Sequence, residues 1–311
     1  MGAIALPIGS APYDFNTLRN DLGISGPISL NNSTVRCWLM AETGAVSVSN
    51  IYRKLVNITS GTNVDIRTAA VNAGWNGTDR VQIDHNDFNT MGSATTGSYA
   101  ATLTGSFTNG VLFVNRGKIY GMGGAGGNGN NNGNGGNGSQ SGSALYVHTI
   151  TSPNNKAYII NGGTGVIASG GGGGGGGGAI YYISAYDGKN TTYSYRTGGG
   201  GGGGAGYTTS SGGNNNGGTG GTTGGGAGYN TGTTSGVTFA QTLDTVWSGN
   251  GGDGGFFGSA GASATAGSVG TAETGEIVYA AGSGGSAGAS ITGYSTSVVF
   301  YNGGTVYGGY N

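Results

Sequence analysis

Ser169-Gly-Gly-Gly-Gly-Gly-Gly-Gly-Gly-Gly-Ala179 places nine glycines, Gly170 to Gly178, in an unbroken row, and a second row follows from Gly198 to Gly204. Glycine loses more backbone freedom on folding than any other residue, so such text ordinarily marks a flexible linker. Its surroundings argue for order instead. Of the chain's 76 glycines, 63 lie between Ile119 and Asn311, and 15 of its 18 tyrosines lie there as well. Linkers are poor in aromatics because they have no surface to bury. The pairing of the two residue types predicts an ordered glycine scaffold that carries ring-bearing excursions.

Which conformation the scaffold takes follows from what glycine lacks. Collagen requires strict Gly-X-Y triplets and abundant proline. Only Pro153 lies beyond Lys118, and nine consecutive glycines break any triplet. The polyproline II helix needs no proline; its backbone groups point outward, and at a rise of ~3.1 Å a nine-residue run spans roughly 28 Å. Without a Cβ, neighbouring helices of this type can approach until their N–H and C=O groups pair. Each such bond contributes about 1 kcal/mol net against an ordering cost of about 1–2 kcal/mol per residue, so apolar packing must supply the rest.

Charge marks a seam. Fifteen of the 23 charged residues fall in residues 1–118, leaving Lys156, Asp187, Lys189, Arg196, Asp244, Asp253, Glu273 and Glu276 for the remainder. A net charge of −1 with no basic stripe speaks against nucleic-acid binding, and three basic residues among the glycines are too few for an Arg-Gly RNA-binding tail. Met1 to Ser10 lacks a basic segment and is broken by Pro7 and Gly9, so no secretory signal is expected, and no window approaches a membrane span. Cys37, the single cysteine, reads as a small buried apolar residue.

Three short helices are expected near the start. Phe15, Leu18 and Leu22 share one face after Ser10-Ala-Pro-Tyr-Asp, Val35, Trp38 and Leu39 space likewise within Asn32 to Ala41, and Val48, Ile51, Tyr52 and Leu55 do so within Ser47 to Leu55. From Val56 the period changes to alternation, in Val64-Asp-Ile-Arg, Val81-Gln-Ile-Asp, Tyr99 to Phe107 and Val111-Leu-Phe-Val. Farther on, Leu145–Ile150 with Ala157–Ile160 around Pro153-Asn-Asn-Lys, and Ile180–Ser184 with Thr192–Arg196 around Asp187-Gly-Lys, read as hairpins. The expected fold class is mostly irregular/β: short N-terminal helices, a small β module, then a glycine-rich polyproline II helix bundle with hairpin-like distal loops. The expected division is 1–55, a helical region; 56–118, the β module; and 119–311, the glycine-rich domain.

Gly117-Lys-Ile-Tyr-Gly-Met-Gly-Gly-Ala-Gly-Gly-Asn-Gly and the Gly170–Gly178 run, interleaved with Tyr-, Asn- and Ser-rich segments, resemble the tail-fibre-tip adhesins of tailed bacteriophages. Ile28-Ser-Leu-Asn-Asn-Ser-Thr-Val-Arg followed by Gly44-Ala-Val-Ser-Val-Ser-Asn-Ile-Tyr-Arg-Lys is similar to a module near the start of many phage tail proteins. The resemblance implies a sandwich of glycine helices whose loops touch an outer-membrane protein or surface glycan of the host, with the N-terminal region attached to the tail fibre. It implies location at the fibre tip of the virion, after synthesis in the host cytoplasm without a signal peptide. The rival reading is a self-assembling glycine-rich fibre or coat protein without receptor specificity.

For receptor contact the candidates are Tyr181, Tyr182, Tyr186, Asp187, Lys189, Tyr193, Tyr195, Arg196, Tyr207, Tyr229, Trp247, Tyr294, Phe300 and Tyr301, with Phe256 and Phe257 in the same pool. Rigid amphipathic rings flanked by Ser, Gly and Asn give large contact area at low entropic cost. The competing role for any of these rings is to cover the glycine scaffold. Catalysis is not expected: Asp84-His85-Asn86-Asp87 reads as a polar turn, His148 stands alone, and nothing fixes the separation of Asp244 from Asp253 or Glu273 from Glu276. Asp253 lacks the acidic loop a calcium site requires, and no cofactor or metal is expected.

Overall fold

A computed structural model describes residues 29–41, 53–186, 191–214, 221, 234–239, 242–269, 276–294 and 298–311. Its framework is a coil of β-strands with three sides. The first turn comprises β1 (Lys54–Ile58), β2 (Gly61–Thr62) and β3 (Val64–Asp65), and the second β4 (Val81–His85), β5 (Thr90–Gly92) and β6 (Ala101–Ser106). The third comprises β7 (Val111–Asn115), β8 (Lys118–Tyr120) and β9 (Leu145–Thr151), and the fourth begins with β10 (Ala157–Asn161) and β11 (Val166–Ala168). Six strands of the arm described below intervene before β18 (Ala289–Thr292) completes that turn. β19 (Val298–Asn302), β20 (Thr305–Tyr307) and β21 (Gly309–Tyr310) make the fifth. Successive turns stack as three parallel five-stranded sheets, β1-β4-β7-β10-β19, β2-β5-β8-β11-β20 and β3-β6-β9-β18-β21.

Register explains the residue pattern. Val81, Val111, Ala157 and Val298 stand side by side in the first sheet, as do Ile83, Phe113, Ile159 and Phe300. These columns point inward and form one buried core with Leu103, Ile119, Leu145 and Ile167 from the other two sides. Helix α2 (Ile66–Asn72) adds Ile66 and Ala70 to that core beside the first turns, and Asp65 caps it by accepting from the Thr68 N–H at 2.7 Å. Trp75 then stacks on Phe107 at 5.3 Å. On the outer face of the first sheet, α1 (Ser33–Trp38) covers Leu112, Val114, Tyr158 and Ile160 with Val35, Cys37 and Trp38. Its cap is Asn32, which accepts from Thr34 and Val35.

Two buried polar features accompany this apolar frame, the first of them inside it. His85, Asn115, Asn161 and Asn302 occupy one register column. The contacts His85 Nδ1···Asn115 Oδ1, Asn115 Nδ2–H to Asn161 Oδ1 and Asn161 Nδ2–H to Asn302 Oδ1 are each 2.8 Å. Such a ladder satisfies side chains that would otherwise cost the desolvation of a buried polar group. The second is on the outer face of the first sheet: Arg53 donates to the Trp38 carbonyl at the end of α1 and to Gln82, Gln82 donates to Asp84, and Arg116 pairs with Asp84 at 2.8 Å, all of these side chains buried.

The expected fold class is corrected by this architecture. The chain is mostly β, built on parallel five-stranded sheets with two short described helices, and is not a small β module followed by a polyproline II helix bundle. Strands far beyond residue 118 complete all three sheets. The repeat is hidden in the sequence because adjacent turns start at Val81, Val111, Ala157 and Val298, so insertions of unequal length mask the period. The hairpin read around Pro153 is corrected for the same reason: β9 and β10 belong to different sheets. Ile66 and Arg67 are helical and not strand, because the Asp65 cap starts α2 there. Lys54 and Leu55, read as the end of a helix, belong to β1. The expected helix at Ser10–Gly23 lies outside the described residues, as does most of Ser47–Leu55.

Candidate functional site

Among the described residues, seven segments rich in glycine, alanine and serine, 121–129, 135–144, 169–178, 198–207, 248–257, 259–267 and 279–288, pack together in an arm inserted after β8 and β11, and 211–214 lies against two of them. Segment 169–178 is enclosed by the other six. Gly170, Gly173 and Gly176 donate to Gly142, Ser139 and Gly136; Gly171, Gly174 and Gly177 to Ala205, Gly202 and Gly199; Gly172, Gly175 and Gly178 to Ser259, Ala262 and Thr265, all at 2.8–3.4 Å. Its carbonyls accept from segments 121–129, 248–257 and 279–288. Direction therefore rotates by one neighbour per residue, and only glycine permits the approach. A Cβ on Gly174 would fall against the carbonyl oxygen of Gly252, closer than real Cβ atoms come to any neighbour.

The arm joins the coil through rings. Tyr120 stacks on Phe257 at 4.8 Å, Phe256 meets Phe257 and Tyr307 edge-on at 5.6 and 5.7 Å, and the Tyr207 ring lies against Gly92. Burial raises the Tyr120 phenol above its ordinary pKa, with Tyr307 adding to the shift. Phe257, Ala168 and Ala205 are buried together at this joint.

At the far end the segments are joined by excursions that pair with one another. β12 (Ile180–Tyr186), β13 (Thr191–Arg196) and β17 (Ile277–Val278) form an antiparallel sheet in the order β13-β12-β17. β14 (Thr234–Phe239), β15 (Thr242–Trp247) and β16 (Ser268–Val269) form a second. The loop 130–134 sits beside them: Thr197 Oγ1 donates to Asn131 at 2.7 Å, Tyr279 OH to Asn132 at 2.9 Å, and the Ala280 N–H to Asn134 at 2.9 Å. Ile277 and Val278, on the edge strand, are 46% and 43% exposed.

The predicted site residues divide between the two ends. Tyr181 and Arg196, both half-buried, lie on the β12–β13 hairpin at the far end with the backbone of Tyr182, Tyr186, Tyr193 and Tyr195, and half-buried Trp247 ends β15 there. Tyr207 lies at the opposite end of the arm, against the coil. Phe300 and Tyr301 belong to the coil's last turn, and Tyr294 follows β18 at the end of the fourth: Tyr301 packs beside the α1 cluster, and Phe300 meets Tyr294 edge-on at 6.3 Å. Phe256 and Phe257 form the joint. Asp187, Lys189 and Tyr229 lie outside the described residues. Ile277, Val278 and the Asn130–Asn134 loop are not among the predicted contact residues, which are chosen for rings and charge, although Glu276 and Tyr279 flank the first two.

Asp84 and His85 form no catalytic pair. Both are buried in β4 rather than in a turn, Asp84 outward against Arg116 and His85 inward against Asn115. Among the described residues no group of His, Cys, Asp and Glu could hold a metal, and no helix is long and apolar enough to cross a membrane.

The coil bears an arm held together by backbone hydrogen bonds, and the far end of the arm carries two antiparallel sheets. The family model for the phage tail fibre adhesin Gp38 matches residues 53–311, and the chain belongs to that family. It is thus an adhesin of the bacteriophage tail. No curated protein and no solved structure matches the chain.

Proposed function

We propose that the far end of the arm recognises a receptor on the host bacterium, an outer-membrane protein or surface glycan, and that it does so by binding without catalysis. The observation that carries this reading is convergence: the β12–β13 hairpin, the β14–β15 hairpin, the β17 edge and the 130–134 loop meet where hydrogen-bonded segments end. A stalk already ordered before contact spares the ordering cost that a flexible loop would meet on binding. Tyr181, Arg196 and Trp247 supply rings and a cation there, and Ile277 and Val278 an apolar edge. The remaining tyrosines of β12 and β13 belong to the same contact, and residues 1–55 fasten the protein to the tail fibre.

Adsorption of purified protein to susceptible cells tests this. Ile277→Ser with Val278→Ser, and separately Arg196→Ala, should lower adsorption about tenfold or more, since centrally placed interface residues cost ~2 kcal/mol when truncated. Melting temperature should hold. Wild-type protein that does not adsorb, or variants that adsorb normally, would refute the proposal, and release of reducing ends from host polysaccharide would refute the non-catalytic part.

A further inference from the structure

The stretch from Asn128 to Gly138 contains four Asn-Gly pairs, Asn128–Gly129, Asn132–Gly133, Asn134–Gly135 and Asn137–Gly138. Such a pair can close on itself, because glycine has no Cβ to keep its backbone nitrogen away from the side-chain amide carbon before it. Closure needs that nitrogen free to lose its proton and attack. In three of the pairs it is engaged: the Gly129 N–H donates to the Asn214 carbonyl at 3.1 Å, the Gly135 N–H to Ala280 at 2.9 Å and the Gly138 N–H to Ser283 at 2.9 Å. The asparagine of each pair accepts from the backbone N–H of the same partner residue, Asn128 from Asn214 at 2.7 Å, Asn134 from Ala280 and Asn137 from Ser283 at 2.9 Å. A two-bond clasp therefore holds the nitrogen and the amide apart.

The Asn132–Gly133 pair has no such clasp. Among the described residues the Gly133 N–H has no hydrogen-bond partner, Asn132 is exposed, and the chain bends here. The loop around it is nonetheless held. Asn130 accepts from the Asn132 N–H at 3.1 Å and donates to the Asn134 carbonyl at 3.2 Å, and the Gly133 carbonyl accepts from the Ala179 N–H at 3.2 Å. The Tyr279 hydroxyl donates to Asn132 Oδ1 at 2.9 Å. Negative charge gathers on that oxygen when the amide carbon is attacked, and a donor already in place stabilises it.

We propose that Asn132 is a deamidation site. The Gly133 nitrogen gives its proton to water and bonds to Asn132 Cγ, Nδ2 leaves as ammonia, and a succinimide ring closes. Water then opens the ring at either carbonyl, leaving aspartate or, with the chain rerouted through Cγ, isoaspartate. Either product places a carboxylate at the far end of the arm. Isoaspartate also lengthens the backbone next to the Gly133–Ala179 bond, which lies at the start of β12. The consequence for adsorption rests on the far-end contact proposed above: the site limits how long the protein keeps its full binding.

Peptide mass spectrometry of the folded full chain, held in mildly alkaline buffer at body temperature, tests this. Asn132 should convert several-fold faster than Asn128, Asn134 and Asn137, and faster in wild type than in Tyr279→Phe. In denaturant, where no clasp survives, the four rates should converge. Asn132 reacting no faster than the other three in the folded chain, or keeping the same lead in denaturant, would overturn the proposal; an unchanged rate in Tyr279→Phe would overturn the part assigned to that hydroxyl. Adsorption should fall in step with conversion and hold in Asn132→Gln. Conversion with adsorption unchanged would leave the site standing and take the 130–134 loop out of the receptor contact.

Discussion

His85 shows how strongly one position constrains the coil. Its ring is fully buried, Nδ1 is committed to Asn115, and Nε2 is buried without a hydrogen-bond partner. Burial lowers its pKa, and the bond to Asn115 offsets only part of that shift. The unfolded chain therefore takes up a proton more readily than the folded one. Stability from this residue is complete above the ordinary histidine pKa of about 6.5 and declines as pH falls below it. Thermal melts between pH 8 and pH 5 should show a steeper loss for wild type than for His85→Asn, whose amide can donate to Asn115 in the same column. Parallel curves would show that His85 is not held neutral by the fold. None of this is legible in Asp84-His85-Asn86-Asp87 alone, because Asn115, Asn161 and Asn302 become neighbours only once the turns stack.

Among the elements, the central glycine segment makes the sharpest demand. Gly174 donates to Gly202 and accepts from Gly127, and the carbonyl of Gly252 closes over the place a Cβ would occupy. Gly174→Ala should cost about 3 kcal/mol or more, because backbone and not a flexible side chain must move, lowering Tm by about 6–12 °C. Gly97→Ala, where nothing lies within 4 Å, should leave Tm unchanged. Equal melting of both variants would mean that segment 169–178 is not enclosed. That these runs pack closely is readable from the glycines, and the β12–β13 hairpin from its alternation around Asp187-Gly-Lys. The coil is not readable, since Ala157–Asn161 and Val298–Asn302 are paired strands separated by five of the arm's seven segments and both far-end sheets.

On the scale of the whole molecule, the two architectures divide the work. The coil supplies the apolar core, and the arm supplies reach and ends in hairpins with exposed Ile277 and Val278. The Tyr- and Gly-rich texture by itself points to an adhesin, and the family match over residues 53–311 agrees. Texture does not separate Tyr181 at the far end from Tyr207 at the coil, because both follow glycine-rich text and only the direction of each segment tells them apart. If the far end selects the host, specificity should travel with it. The most direct measurement is the host range of phage whose adhesin carries segments 180–196, 234–247 and 268–278 exchanged for those of an adhesin with a different host, the coil being left intact. The account predicts that such particles adsorb to the donor's host and lose the original one; an unchanged host range on particles that carry the folded chimera would contradict it.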